Sequence, residues 1–289
     1  MAIQDIVNSI NSINDKKIKI KEALVSKGVQ SEGKLSKFPD EIKRISAGTN
    51  EHDLIRSILY KIKAIDWNDN ATQLPDAFGK GITFNNVSLP NVVSDNSTKL
   101  FQLSTINNFS ATKMTSCISI FGEANVTSFN LPKLESCTNF GYNGTIKTIY
   151  LPKLTTLTNN IGGSETKIIV LPEITNLYDF GIQPSTDSER IYFGRNLKKF
   201  PILPNNYSVH KSELVIVLDT PQAIPVSPYT NATIDDYASR DGKLIISVLD
   251  SAYDSFKKSA DWNRYSQYIK KRSETPADKL EFLKPYGLH

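Results

Sequence analysis

The chain has only two cysteines and three histidines among its 289 residues, and that scarcity removes several kinds of chemistry at the outset. Cys117 and Cys137 stand in no CxxC and have no histidine nearby in sequence, so a zinc site is not expected. His52, His210 and His289 are dispersed along the chain, so no histidine-based triad is suggested. There is no GxSxG, P-loop, GxGxxG or HExxH, and no cofactor is expected. Excess charge is lacking too. The balance of 34 basic against 30 acidic residues gives +4, far from the basic footprint of a nucleic-acid binder. No run approaches the about eighteen apolar residues of a membrane helix. The opening MAIQDIVNSINSIND offers neither a basic n-region nor an apolar h-region. The expectation is a chain with no nucleic-acid partner, no membrane insertion and no secretion signal.

What the sequence has in quantity is repetition. Leu89-Pro90-Asn91-Val92, Ala111-Thr112-Lys113-Met114, Leu131-Pro132-Lys133-Leu134, Leu151-Pro152-Lys153-Leu154 and Leu171-Pro172-Glu173-Ile174 follow one another at spacings of 22, 20, 20 and 20 residues. A fixed period of this size is the mark of a solenoid, whose units bury their apolar faces against their neighbours. Ahead of each phrase, alternate positions are apolar (129 and 131, 149 and 151, 169 and 171), which predicts a strand. The proline, unable to donate to a ladder, should end the strand or mark its loop. A second signal pairs a bulky residue with glycine at Phe121-Gly122, Phe140-Gly141, Ile161-Gly162 and Phe180-Gly181, a means of filling the core and turning the backbone. Cys117 and Cys137 share one place in successive repeats and should stack, as buried small apolar residues or as a disulfide. Asn96, Asn125, Asn143 and Asn231, each in an Asn-x-Ser/Thr sequence, read as turn residues rather than glycan acceptors.

Helical patterns flank the repeats. Ile3, Ile6, Ile10 and Ile13 fall in a three-four alternation whose phase resumes at Ile20 and Leu24. Isoleucine at both seam positions favours three-stranded coiled coils, so this helix either forms a homotrimer or packs on its own chain. Gly28 is placed to end it, and Pro39 to begin a second helix running to Ile45. A third, from Asn50 through Leu54, Ile58 and Ile62 toward Trp67, should cover the first repeat. Residues 66–70 read as a turn after it, since a calcium loop would need a glycine and a distal glutamate. At the other end, Leu244–Val248 reads as a last strand. Tyr253, Phe256, Trp262 and Tyr265 follow it, and the tail from Lys270 folds back over the terminal cap or docks on a neighbour. Glu135, Glu165, Glu173 and Asp179 read as solvated loop acids. Tyr142, Tyr150, Tyr178 and Tyr192 are the candidates for a surface recognition face.

Two resemblances join these observations. Ile20-Lys21-x-Ala23-Leu24-x-x-Lys27-Gly28-Val29, with Leu35, Phe38, Ile42 and Ile45, resembles a short helical module near the N-terminus of many tailed-phage virion proteins, often ahead of tail-fibre or adsorption domains. The strand-LPxL-Gly pattern from about residue 87 to 262 is similar to the leucine-rich repeats of bacterial surface proteins called BspA-like, and its end resembles their closing unit, which implies a last strand at Leu244–Val248 and a helix capped by Asp250 whose Tyr253, Phe256, Trp262 and Tyr265 seal the core. Together they imply an α+β chain: a leucine-rich-repeat-type β-solenoid with short strands, a helical N-terminal module and a helical C-terminal cap. The expected division is an anchor over 1–47, a capping helix and linker over 50–86, the solenoid over 87–250 and the cap and tail over 251–289. The implied function is that of a bacteriophage virion protein of the tail, baseplate or fibre apparatus. It would be located in the virion and present its repeats to other virion proteins or to a host surface receptor or glycan. It is not expected to be an enzyme. The alternatives are a bacterial leucine-rich-repeat adhesin and a glycan depolymerase built on paired carboxylates.

Overall fold

The computed structural model describes residues 15–22, 24–25, 65–68, 70–163, 165–177, 189–201, 213–226 and 244–288. In chain order the strands are β1 (Ile65–Asn68), β2 (Thr83–Ser88), β3 (Ser94–Asp95), β4 (Thr105–Ser110), β5 (Ser116–Ile120), β6 (Asn125–Asn130), β7 (Ser136–Phe140) and β8 (Thr148–Tyr150). They continue with β9 (Thr156–Leu157), β10 (Ile168–Leu171), β11 (Asn176–Leu177), β12 (Glu189–Phe193), β13 (Leu214–Leu218), β14 (Leu244–Val248) and β15 (Ile269–Lys271). Every pairing is parallel. One side of the coil is the sheet β1-β2-β4-β6, carried on by β8-β10-β12-β13-β14-β15; the other is β3-β5-β7-β9-β11. The fold is a parallel β-solenoid of about seven turns with a few short helices.

The repeated phrase makes one corner of each turn. Leu134 and Leu154 donate their N–H groups to the carbonyls of Leu131 and Leu151, and Met114 donates to Ala111. These are β-turns with proline at the second position of two of them, where its fixed φ fits and no donor is needed. The flanking apolar pairs, such as Leu131 with Leu134 and Leu151 with Leu154, are buried. Before the corner the strand bends. Phe84 and Val87, Ile106 and Phe109, Val126 and Phe129 face the core three residues apart, so two successive residues between them face outward.

The opposite corner differs from the sequence expectation by one residue. Ile120 is in register with Phe140, and Phe140 with Ile161. Phe121 is therefore the counterpart of Gly141 and Gly162, not of Phe140 and Ile161. The backbone agrees: φ is 62° at Phe121, 54° at Phe101, 68° at Gly141 and 83° at Gly162. The corner demands a left-handed residue, and in two turns phenylalanine takes it because its ring fills the core. Phe101, Phe109, Phe121 and Phe140 form an edge-to-face run, with centroids 5.3 Å, 4.9 Å and 5.7 Å apart for Phe101–Phe109, Phe109–Phe121 and Phe121–Phe140. Phe180-Gly181 lies outside the described residues.

In the later turns an isoleucine ladder, Ile149, Ile169, Ile191, Ile216, Ile246 and Ile269, runs along the core in strict register with every member buried. Strands β13 and β14, LVIVL and LIISV, are buried at every position. Their outward residues Val215, Val217 and Ile245 join Val170 and Tyr192 under Leu283 of the tail. Sheets covered on both faces read as continuous apolar runs, which explains why the alternation fades there.

The two ends need four corrections. The first rung of the solenoid is β1, paired with β2, so strands begin at Ile65 inside the segment expected to be helix and linker. Residues 66–68 are part of this strand, not of a turn, because Trp67 packs edge-on against Phe78 at 5.3 Å. Phe256, Trp262 and Tyr265 seal the last turn as expected, but α1 (Tyr253–Lys258) has no side-chain cap. The Asp250 carboxylate instead accepts from Ser273 N and Oγ at 3.1 Å and 2.6 Å, which draws the tail in. The tail, with α2 (Ala277–Leu280), folds back along the outer face of the sheet rather than over the cap.

Candidate functional site

The outer face of β1-β2-β4-β6 is polar, uncharged beyond its first rung, and open. Asp66, Asn86, Asn108 and Ser128 are in register on successive strands. Asn86 Nδ2 donates to Asp66 Oδ1 at 2.7 Å, Asn108 Nδ2 to Asn86 Oδ1 at 2.9 Å, and Ser128 Oγ to Asn108 Oδ1 at 2.7 Å. A second line runs beside it, Asn107 Nδ2 donating to Asn85 Oδ1 at 3.4 Å. Asn86 and Asn108 each use one donor and one acceptor on their neighbours, which leaves one N–H and one lone pair on each of these exposed amides. The bend described above creates this double row, since it turns two successive residues outward in each turn. The signal was present in the sequence as Asn85-Asn86, Asn107-Asn108 and Thr127-Ser128, and the Leu-Pro phase drew attention away from it.

A recess of about 360 Å³ opens beside the second face, lined among others by Gln73, Asp76, Ser94, Asp95, Asn96 and Ser97. Asp76 Oδ1 accepts from Ser97 Oγ at 2.9 Å and from Thr98 N at 3.2 Å; these bonds hold its carboxyl below the ordinary range. Asp95 Oδ1 accepts from Ser97 N at 3.3 Å, while burial, aided by the Asp76 charge, pushes its carboxyl up. Two carboxyls with environments pulling apart resemble an acid and a base. Asp95 Oδ2, however, is enclosed and has no hydrogen-bond partner among the described residues, so at most one oxygen of this carboxyl meets the recess, whereas glycoside hydrolysis needs both groups to reach the substrate. Among the described residues no group of three or more His, Cys, Asp or Glu is placed to hold a metal ion. No described helix is long and apolar enough to cross a membrane.

With these surfaces in place, the chain can be set beside known proteins. It matches no protein-family model, no curated protein and no solved structure. Function must therefore be read from the site itself.

The tyrosines expected on one recognition face are not brought together. Tyr142 is exposed at a corner. Tyr150 is half-buried, its ring stacked on Tyr286 of the tail at 4.3 Å. Tyr192 is buried and donates its hydroxyl to Asp219 Oδ2 at 2.6 Å. Burial, with the Asp219 bond and charge, raises its phenol well above the ordinary range. Tyr192 thus corrects the expectation of a displayed side chain. It shares the outer ladder with Val170 and Val217, and covering that apolar strip with the tail is worth more than exposing it. Arg272 clasps the tail in place through Asp219 Oδ1 at 2.7 Å and Ser247 Oγ at 3.0 Å. Tyr178 lies outside the described residues.

Of the proposed anchor, Ile3, Ile6, Ile10 and Ile13 lie outside the described residues. Residues 15–22 and 24–25 are helical. Leu24 is fully buried and Ile20 packs half-buried against the solenoid core, whereas Ile18 and Val25 stand exposed. This stretch of helix gives part of its apolar face to its own chain.

Proposed function

We propose that this protein is a structural component of a tailed-bacteriophage particle, of the tail, baseplate or fibre apparatus. Its leucine-rich-repeat-type solenoid is the displayed part and its N-terminal helices are the mount. The observation that carries the reading is the open amide ladder Asp66-Asn86-Asn108-Ser128. The apolar half of the same outer surface is closed by the tail, while this polar half is left free. In-register rungs repeat about every 4.8 Å, and unspent amide donors and acceptors at that spacing suit a hydroxyl-rich glycan on a host surface. The resemblance of residues 20–45 to a virion module supports mounting on other virion proteins, with a homotrimer formed through Ile3, Ile6, Ile10 and Ile13.

The test uses the full chain and an Asn86→Ala/Asn108→Ala variant, with matched thermal unfolding as the control for folding. Fluorescently labelled protein is applied to host cells, and the variant is expected to lose at least tenfold in binding. Equal binding by both would refute the ladder as the recognition surface. Removal of residues 1–47 should abolish incorporation into particles; normal incorporation would refute the mount.

A further inference from the structure

The two cysteines are not consumed by the display surface, and the fold brings them together. Cys117 on β5 and Cys137 on β7 are directly in register. Cys117 Sγ donates to Cys137 Sγ at 3.1 Å, and Cys137 Sγ donates in turn to the Asn139 carbonyl at 3.1 Å. Neighbouring strands set in-register Cα atoms about 4.8 Å apart, within the roughly 4.4–6.8 Å that a disulfide spans. Both side chains are buried, so both point to the same side of the strand pair. The Sγ–Sγ separation of 3.1 Å leaves about 1 Å to close to the length of a disulfide bond.

A second cavity, of about 260 Å³, is lined by both cysteines together with Asp95, Ser116, Ser136 and Thr138. Its polar walls, open to solvent, suit a small uncharged oxidant. The chain has no other cysteine, so this pair is its entire thiol chemistry.

We propose that Cys117 and Cys137 form a reversible dithiol–disulfide site, oxidised by hydrogen peroxide or a similarly small peroxide that reaches them through this cavity. One sulfur, as thiolate, attacks a peroxide oxygen. The O–O bond breaks, water is released, and that sulfur becomes a sulfenic acid. The second sulfur attacks it, the S–O bond breaks, a second water leaves and the S–S bond forms. In sum, two thiols and one hydrogen peroxide give one disulfide and two waters. An external dithiol restores the pair by exchange. The link encloses one complete turn of the solenoid and fastens β5 to β7, so oxidation stiffens the middle of the displayed structure without touching its outer face. The hydrogen bond to Cys137 and burial hold the Cys117 thiol well above its ordinary range, which disfavours Cys117 as the attacking thiolate.

The test exposes the reduced, folded full chain to hydrogen peroxide, then unfolds it, alkylates it and measures intact mass. The expected product has lost two hydrogen atoms, takes up no alkylating group, remains a single chain, and regains two alkylation sites after treatment with dithiothreitol. Its unfolding midpoint should lie several degrees above that of the reduced form. Cys117→Ser and Cys137→Ser should each give no hydrogen-loss product, and their remaining sulfur should add oxygen instead. The proposal is overturned if both thiols of the wild-type chain stay open to alkylation, if they add oxygen without linking, or if they link two chains. The wild-type masses decide the matter even if a serine variant fails to fold.

Discussion

Phe121 permits a test in which the usual ranking of two substitutions is reversed. Its φ of 62° is left-handed, where a side chain costs roughly 1–2 kcal/mol, and its counterpart one turn on is Gly141. Phe121→Ala and Phe121→Gly both delete a fully buried ring and its edge-to-face contacts with Phe109 and Phe140 at 4.9 Å and 5.7 Å. Truncation of a buried phenylalanine to alanine costs about 3–5 kcal/mol, and alanine keeps the backbone strain. Glycine releases the strain and gives back about 0.5–1 kcal/mol through the greater freedom of the unfolded chain. Both variants are therefore expected to lose several kcal/mol, with glycine the milder by about 0.5–1 kcal/mol from the difference of those two effects. At an ordinary φ the glycine variant would be the worse one. Urea titration followed by circular dichroism reads the midpoints, and a shared slope shows that the comparison is of stability alone. An alanine variant as stable as the glycine variant, or more so, would refute the left-handed corner and the pairing of Phe121 with Gly141.

Asp95→Asn keeps the acceptor for Ser97 N and removes a carboxyl that burial raises. The raised group destabilises the fold as pH climbs from the unfolded value through the folded one, so the variant should unfold later than wild type at pH 7 and match it near pH 3, as thermal scans across pH will show. Trp262→Ala removes a buried ring whose Nε1 donates to the Ile224 carbonyl at 2.6 Å; a cost of about 3–5 kcal/mol is expected. Amide exchange should then rise first in β13–β15, because each turn is supported only by its neighbours. Truncation before Ala277 uncovers Val170, Val215, Val217 and Ile245; binding of an apolar dye should increase sharply, and unchanged fluorescence would refute the tail as their cover.

The regular part of this fold was legible because periodicity and packing coincide in it. Leu131 with Leu134, and Leu151 with Leu154, bury a pair at each corner, and the proline between them suits the turn. The sealing role of Phe256, Trp262 and Tyr265 was legible through the resemblance of the chain's end to the closing unit of a repeat family, and all three are buried. What escaped were features set by register between turns. The equivalence of Phe121 with Gly141 is hidden because a left-handed φ ordinarily implies glycine, and here a buried ring outweighs the strain. The loss of Tyr192 from the surface depends on Leu283, more than ninety residues further on, which no local pattern encodes. The Asp76–Asp95 recess arises from adjacent turns at residues that match no repeated phrase. The asparagine ladder was written in the sequence but lay on the outward positions, which apolar alignment ignores.

The isoleucine ladder has a consequence for how this chain tolerates change in length. Its members are separated by 20 residues from Ile149 to Ile169, then by 22, 25 and 30 to Ile191, Ile216 and Ile246. The register does not slip, so residues added between rungs are absorbed in the connections and leave the core unaltered. Doubling a connection costs only about 0.6 kcal/mol in closure entropy. The intervals after β12 and β13 are therefore natural grafting points, where a foreign peptide can be carried on the solenoid provided that it is placed clear of Leu197, Phe200 and Ile224, which these intervals give to the core.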